Sequence, residues 1–366
     1  MKDLVYYNDL QSKTISFLRF YLMIGVVFIH IFPDTIFESM NLDPSQKPIF
    51  YYTTRLFSFI LPKVSVPLFF FISGFLFFYN IKFTKYIYLK KLTSRIKTIF
   101  IPYMIWITFF LSLYIFIQNF LQYSIFTPNN YLKNILLDFS FTDYLHAYGV
   151  GEIYPFVGQF WFIRNLIVFI IITPFLFFII KKLKYFYLLL IGIMWFFNCF
   201  PKYNYEVLNP LFFFSLGCYY SIYKKNIIIE FKNLFHISIF LYTAFIIFSI
   251  FTIYKSFGLY IINLSILSGI IFFFSIVSIM IEKKYIKINI FLLSSTFFLF
   301  ATHSHLTIFI KKVFLRFIKY DNDIFLTISY FILVIITVFI SLILYYFLNK
   351  FFPKFSNLIT GGRNLK

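Results

Sequence analysis

What most constrains this chain is a series of apolar runs near the length of a membrane span, separated by short basic clusters. A helix needs about 20 mainly apolar residues to cross a hydrocarbon core roughly 30 Å thick. Backbone in lipid must satisfy its own hydrogen bonds, so helices are what such runs form. Ten spans are expected, at approximately 15–33, 50–80, 96–120, 157–180, 185–200, 207–223, 235–254, 259–281, 289–310 and 324–349. The expected fold is all-α: one polytopic transmembrane helical bundle of about ten spans, with 1–366 as a single domain.

Composition closes the other routes. The chain is 61% apolar and 26% aromatic, with only 13% charged residues. Soluble domains carry about twice that charge. No long stretch has soluble-like composition, so a soluble enzyme with an apolar tail is excluded, as are disorder and collagen-like repeats. Cys199 and Cys218 lie at different segment ends and imply neither a disulfide framework nor a metal site. The first apolar run, Ile15 to Phe32, has no small-residue cleavage site after it and is expected to be a retained span.

The formal net charge is +20. On a soluble protein that would point to nucleic acid. Here the cations cluster between apolar segments, as the positive-inside rule describes, and the partner they imply is a lipid bilayer. The bias places both termini in the cytoplasm. Lys311, Lys312, Arg316 and Lys319 run against it, and are expected to extend the ninth helix above the membrane. The longest external segment, from about Gln122 to Val157, carries Asp138, Asp143, His146 and Glu152. In the second span Arg55, Pro62, Lys63 and Pro67 predict a broken first half followed by a regular helix from Val64 to Tyr79.

Arg19 and His30 are the first candidates for chemistry. Eleven steps of about 100° bring both to one helix face, roughly 16 Å apart along the axis. Two readings fit Arg19: a cation holding an anionic donor, or a side chain snorkelling to the interface. Two fit His30: an imidazole taking a proton from a hydroxyl near neutral pH, or an interfacial histidine at a helix end. Asp34, four residues on, would orient the imidazole only if the helix continued. Pro33 favours an ordinary helix-end carboxylate.

Arg19 with ten intervening residues and His30 resembles the signature of membrane acyltransferase family 3, polytopic bacterial enzymes that modify surface glycans. Further stretches match in order: Val66-Pro67-Leu68-Phe69-Phe70-Phe71-Ile72-Ser73-Gly74, Arg95-Ile96-Lys97-Thr98 followed by Pro102-Tyr103, Phe160-Trp161-Phe162-Ile163-Arg164-Asn165, Ser215-Leu216-Gly217, and Thr296-Phe297-Phe298-Leu299-Phe300-Ala301-Thr302-His303. The sequence departs from the family pattern where relatives often carry Asp: Ser16 stands before Arg19, and Asn165 follows Arg164.

The resemblance implies an O-acyltransferase of the bacterial inner membrane that moves an acyl group, commonly acetyl, from acyl-CoA to a hydroxyl of a surface or lipid-linked glycan. Acyl-CoA is then a donor substrate, with no resident cofactor and no metal. Proteins of polysaccharide biosynthesis are implied as partners. His30 would be catalytic, as general base or transient acyl carrier. Arg19, Arg95, Arg164, Trp161 and His303 would line the donor and substrate site. Positive-inside topology alone accounts for Lys90, Lys91 and Lys97, and Ser73-Gly74 fits close helix packing better than a catalytic serine. The rival class is a polysaccharide transporter or flippase, or a translocator of acyl-CoA. Against that rival, the sequence has no two halves with the matching broken segments that mark repeat-built transporters.

Overall fold

The computed structural model describes residues 2–31, 33–39, 43–121, 139–151, 154–317 and 322–363. Asp138, Glu152 and Lys319 lie outside the described residues. In chain order the helices are α1 (Lys2–Ile29), α2 (Pro33–Ser39), α3 (Pro48–Thr54), α4 (Ser65–Phe78), α5 (Lys85–Arg95), α6 (Ile101–Leu121), α7 (Phe141–Ala147), α8 (Trp161–Ile171) and α9 (Thr173–Leu183). There follow α10 (Tyr185–Phe196), α11 (Pro201–Tyr203), α12 (Asn209–Ile222), α13 (Ile227–Lys232), α14 (Phe235–Thr252), α15 (Gly258–Glu282), α16 (Ile290–Phe317), α17 (Asp323–Phe351) and α18 (Pro353–Thr360). No strand occurs among the described residues.

Among the described residues seven helices are long and apolar enough to cross a bilayer, which makes the chain a multi-pass membrane protein. An eighth span arises if α8 and α9 count as one, bent by 66°. Pro174 explains the bend: it cannot donate an amide hydrogen bond, and its ring crowds the carbonyl of Ile170. The expected span at 185–200 forms a helix of 12 residues. At about 1.5 Å per residue it reaches roughly 18 Å, short of the hydrocarbon thickness. At 207–223, α12 continues from α11 through a π turn at Asn204–Leu208, so the helical stretch covers 201–222, with Lys202, Glu206 and Asn209 in its first half.

The second span is broken as expected. After α3 the backbone opens into a π turn at Arg55–Ile60, tightens to a 3₁₀ turn at Leu61–Val64, and becomes regular in α4. Pro62 withholds an amide in the middle of this stretch.

The chain divides into two compact units. One comprises Met1–Phe83 with Thr173–Phe347, and the other Thr84–Ile172 with Leu348–Asn364. In the first, α1 packs against α4, α15 and α16. Phe20, Met23, Val26, Val27 and Ile31 form a core there with Leu299, Tyr330 and Leu333. The tightest contact is between α4 and α12. A methyl group placed on Gly74 would fall on the carbonyl of Phe214, and one on Gly217 would fall on that of Phe71. Ser73-Gly74 and Ser215-Leu216-Gly217 therefore mark close helix packing. In the second unit, Trp106 Nε1 on α6 donates to the carbonyl of Ile359 on α18 at 3.0 Å. Gly361, which ends α18 in the left-handed region (φ +67°), lies against the backbone of Thr98.

Candidate active site

His30 stands one residue past the end of α1. Its amide is shared between the carbonyls of Val26 (3.2 Å) and Val27 (3.1 Å), and the amide of Ile31 reaches Phe28 at 3.4 Å. The helix is loosening here, and Pro33 supplies no amide to continue it. The carbonyls left over are met from other elements. Ser58 Oγ donates to the Phe28 carbonyl at 2.7 Å. Its proton thus committed, Ser58 accepts from Tyr330 Oη, also at 2.7 Å. Lys311 Nζ, on α16, donates to the Ile31 carbonyl at 3.1 Å and to Thr35 Oγ1 at 2.7 Å.

Asp34 begins the next helix and forms an ion pair with Arg55, whose Nη1 lies 3.3 Å from Oδ2. The carboxylate does not orient His30; it is the helix-end acid that Pro33 favoured. Arg55 is buried, and its guanidinium carbon lies 4.9, 4.6 and 5.5 Å from the ring centres of Tyr51, Phe59 and Tyr254. Cation–π contacts and the carboxylate together offset the desolvation of this cation.

The structure brings His303 to His30. Their ring centres lie 4.8 Å apart, edge on face at 74°. His303 sits in the middle of α16 with 0% exposure. Its Nδ1 lies 2.7 Å from the carbonyl of Phe300. A carbonyl only accepts, so Nδ1 carries the hydrogen, and Nε2 of the neutral ring carries a lone pair. That Nε2 is buried and has no hydrogen-bond partner among the described residues. Leaving such a group unsatisfied costs about 1–3 kcal/mol, and buried orphans of this kind concentrate at functional sites.

Arg19 is partly exposed on α1, eleven residues before His30, which follows the last residue of that helix. The rise of roughly 16 Å keeps the two out of contact. Arg95, Trp161 and Arg164 belong to the other unit. Arg95 closes α5, one turn after Lys91, and the backbone then opens into a π turn at Ile96–Phe100. Trp161 and Arg164 share the first turn of α8; Trp161 is buried and Arg164 is partly so. Arg164 directs Nε (3.2 Å) and Nη2 (2.8 Å) to Oδ1 of Asn165. Gly149 (φ +79°) lets the preceding loop lie on this arginine. A Cβ there would stand 3.0 Å from Arg164 Cδ and 3.1 Å from Tyr103 Oη.

Arg55, Ser58 and Lys311 complete the setting of His30 and were not assigned to the site from sequence. Two of them carried a signal. Arg55 is one of few arginines and lies within an apolar run. Lys311 heads the cluster that breaks the charge bias. Ser58 carried none, since a serine in such a run is ordinary.

A family model described as an acyltransferase domain matches residues 13–346, nearly the whole chain and parts of both units. No curated protein and no solved structure matches the chain.

Proposed function

The chain belongs to acyltransferase family 3 and is an acyltransferase, and from that premise we propose that it moves an acyl group, most simply acetyl, from acyl-CoA to a hydroxyl of a cell-surface or lipid-linked glycan. The observation that carries this reading is the histidine pair: a buried imidazole with a fixed tautomer and an unsatisfied Nε2, against the ring of His30. The acceptor hydroxyl gives its proton to the His30 imidazole as its oxygen attacks the thioester carbonyl. The C–O bond forms, the C–S bond breaks, and the departing CoA thiolate takes the proton back from His30. General-base assistance of this kind contributes about 10²–10⁴ in rate.

The donor's phosphates need cations. Lys91, Arg95 and Arg164 supply them in one unit, with Trp161 beside Arg164, and Arg19 supplies one on the His30 helix. Under the positive-inside assignment both termini and the Arg95 segment face the cytoplasm of a bacterial cell, where acyl-CoA is made. Proteins that assemble the glycan are the partners this reading implies.

The test compares O-acetyl content of surface polysaccharide in cells carrying the wild-type chain, His30→Ala at equal membrane level, or no copy. Acetyl groups are expected to be lost in the last two while glycan amount stays constant. Unchanged acetylation with less surface glycan would overturn the reading in favour of transport.

A further inference from the structure

We propose that Lys311 is a positioning residue for acyl transfer, its ammonium fixing the turn that presents His30 to His303; this rests on His30 being the base. The turn needs such a fixture. The His30 amide is split between two carbonyls, the next amide bond is long, and Pro33 ends the ladder. Lys311 binds on both sides of the break: the Ile31 carbonyl at the end of α1, and the Thr35 hydroxyl in the first turn of α2. Both acceptors are neutral oxygens. Asp34, the carboxylate between them in sequence, is engaged by Arg55.

Lys311 and His303 lie on one helix, eight residues apart, with no break in α16 between them. That is roughly 12 Å of rigid rod. The element that buries His303 therefore also holds the backbone carrying His30, and Lys311 sets the register between the two rings. This accounts for a cation that the charge bias leaves unexplained. The neighbouring Lys312 is exposed. A misplacement of about 1 Å from a residue outside the chemistry can cost on the order of 10²-fold in rate.

The experiment measures transfer of radiolabelled acetyl from acetyl-CoA to endogenous polysaccharide, using membranes of glycan-producing cells and the full chain. Acetyl-CoA is varied to separate kcat from KM. Lys311→Met is expected to lower kcat by about 10- to 100-fold with the acetyl-CoA KM within about twofold, the signature of lost transition-state alignment. Lys311→Arg, which keeps a cationic donor, is expected to regain most of the rate. Lys312→Met is expected to match wild type. Thr35→Val removes one of the two acceptors and is expected to lower kcat about threefold, less than Lys311→Met because the Ile31 carbonyl still holds the ammonium.

A kcat for Lys311→Met within twofold of wild type overturns the proposal. So does failure of Lys311→Arg to exceed Lys311→Met, or an equal loss in Lys312→Met. If Lys311→Met does not accumulate, Thr35→Val decides, and a wild-type rate there overturns the proposal. Full transfer by His30→Ala, or none by wild type, would instead remove the reading of His30 on which the proposal stands.

Discussion

The two units of this protein use their carboxylates differently. In the first, four described carboxylates form ion pairs, Asp9 with Lys13, Asp34 with Arg55, Glu230 with Lys225 and Glu282 with Lys232, and Asp323 accepts from the amides of Ile49 and Phe50. Glu282 also accepts from Tyr6 Oη at 2.9 Å. In the second unit the described residues include Lys90, Lys91, Arg95, Lys97, Arg164, Lys354 and Arg363, and a single carboxylate, Asp143. Asp143 is spent on its own helix. It closes a capping box with Ser140, accepting from that hydroxyl at 2.6 Å and from that amide at 2.8 Å. Those bonds hold its carboxyl below the usual carboxylate range.

The first unit holds the imidazole pair. The cations of the second, with one described carboxylate among them, attract anions, and phosphate-bearing donors foremost. Substitutions at the histidine pair of the first unit should act on kcat, and those at the cations of the second on the KM for acyl-CoA.

The largest effect is expected from His30→Ala, which removes the base: kcat should fall about 10³-fold, with little change in the KM for acetyl-CoA. A comparable rise in KM with kcat preserved would break the division between the units. The next effect separates catalysis from stability. His303→Phe keeps a ring but removes the unsatisfied Nε2, so kcat should fall about 10- to 100-fold while the melting temperature of the purified protein stays level or rises. Groups held for function at the expense of stability show that pattern. A fall in melting temperature together with unchanged kcat would make His303 an ordinary packed histidine.

The histidine pair also shows how much was legible beforehand. The helical repeat placed Arg19 and His30 on one face, and the family-like stretch ending at His303 named the second ring. Their contact needed three dimensions: residues 30 and 303 meet only because α1 packs on α16, and apolar periodicity does not encode that pairing. The broken second span was legible because proline acts locally. The ten-span expectation rested on hydropathy alone, and the 66° bend at Pro174 and the short α10 show what that measure omits. Asp34 and Arg55 were both visible in the sequence. Their pairing was not, because an ion pair across 21 residues leaves no periodic trace.

In the second unit, Arg95→Gln should raise the acetyl-CoA KM about tenfold, the equivalent of roughly 1.4 kcal/mol of binding, with kcat within twofold. Added salt should raise the wild-type KM in the same direction and should affect the variant less, because screening acts on the charge the variant lacks. A salt response equal in the two proteins would remove Arg95 from the donor site.

The smallest effect is expected at Asn165. This side chain takes the fork of Arg164 on a neutral amide oxygen, where relatives of the resembling pattern often carry Asp. A neutral acceptor leaves the guanidinium its full charge for a ligand, whereas a carboxylate in the same place would compensate it. Asn165→Asp should therefore raise the acetyl-CoA KM. The rise should stay below about fivefold, because a pair with a partly exposed arginine is worth about 0–1 kcal/mol. Steady-state kinetics in which Asn165→Asp costs more than Arg95→Gln would reverse that order and make Arg164 the main anchor for the donor's phosphates. An unchanged KM would mean that Arg164 serves the packing of Gly149 and Tyr103, and the donor site would then rest on the α5 end of the unit.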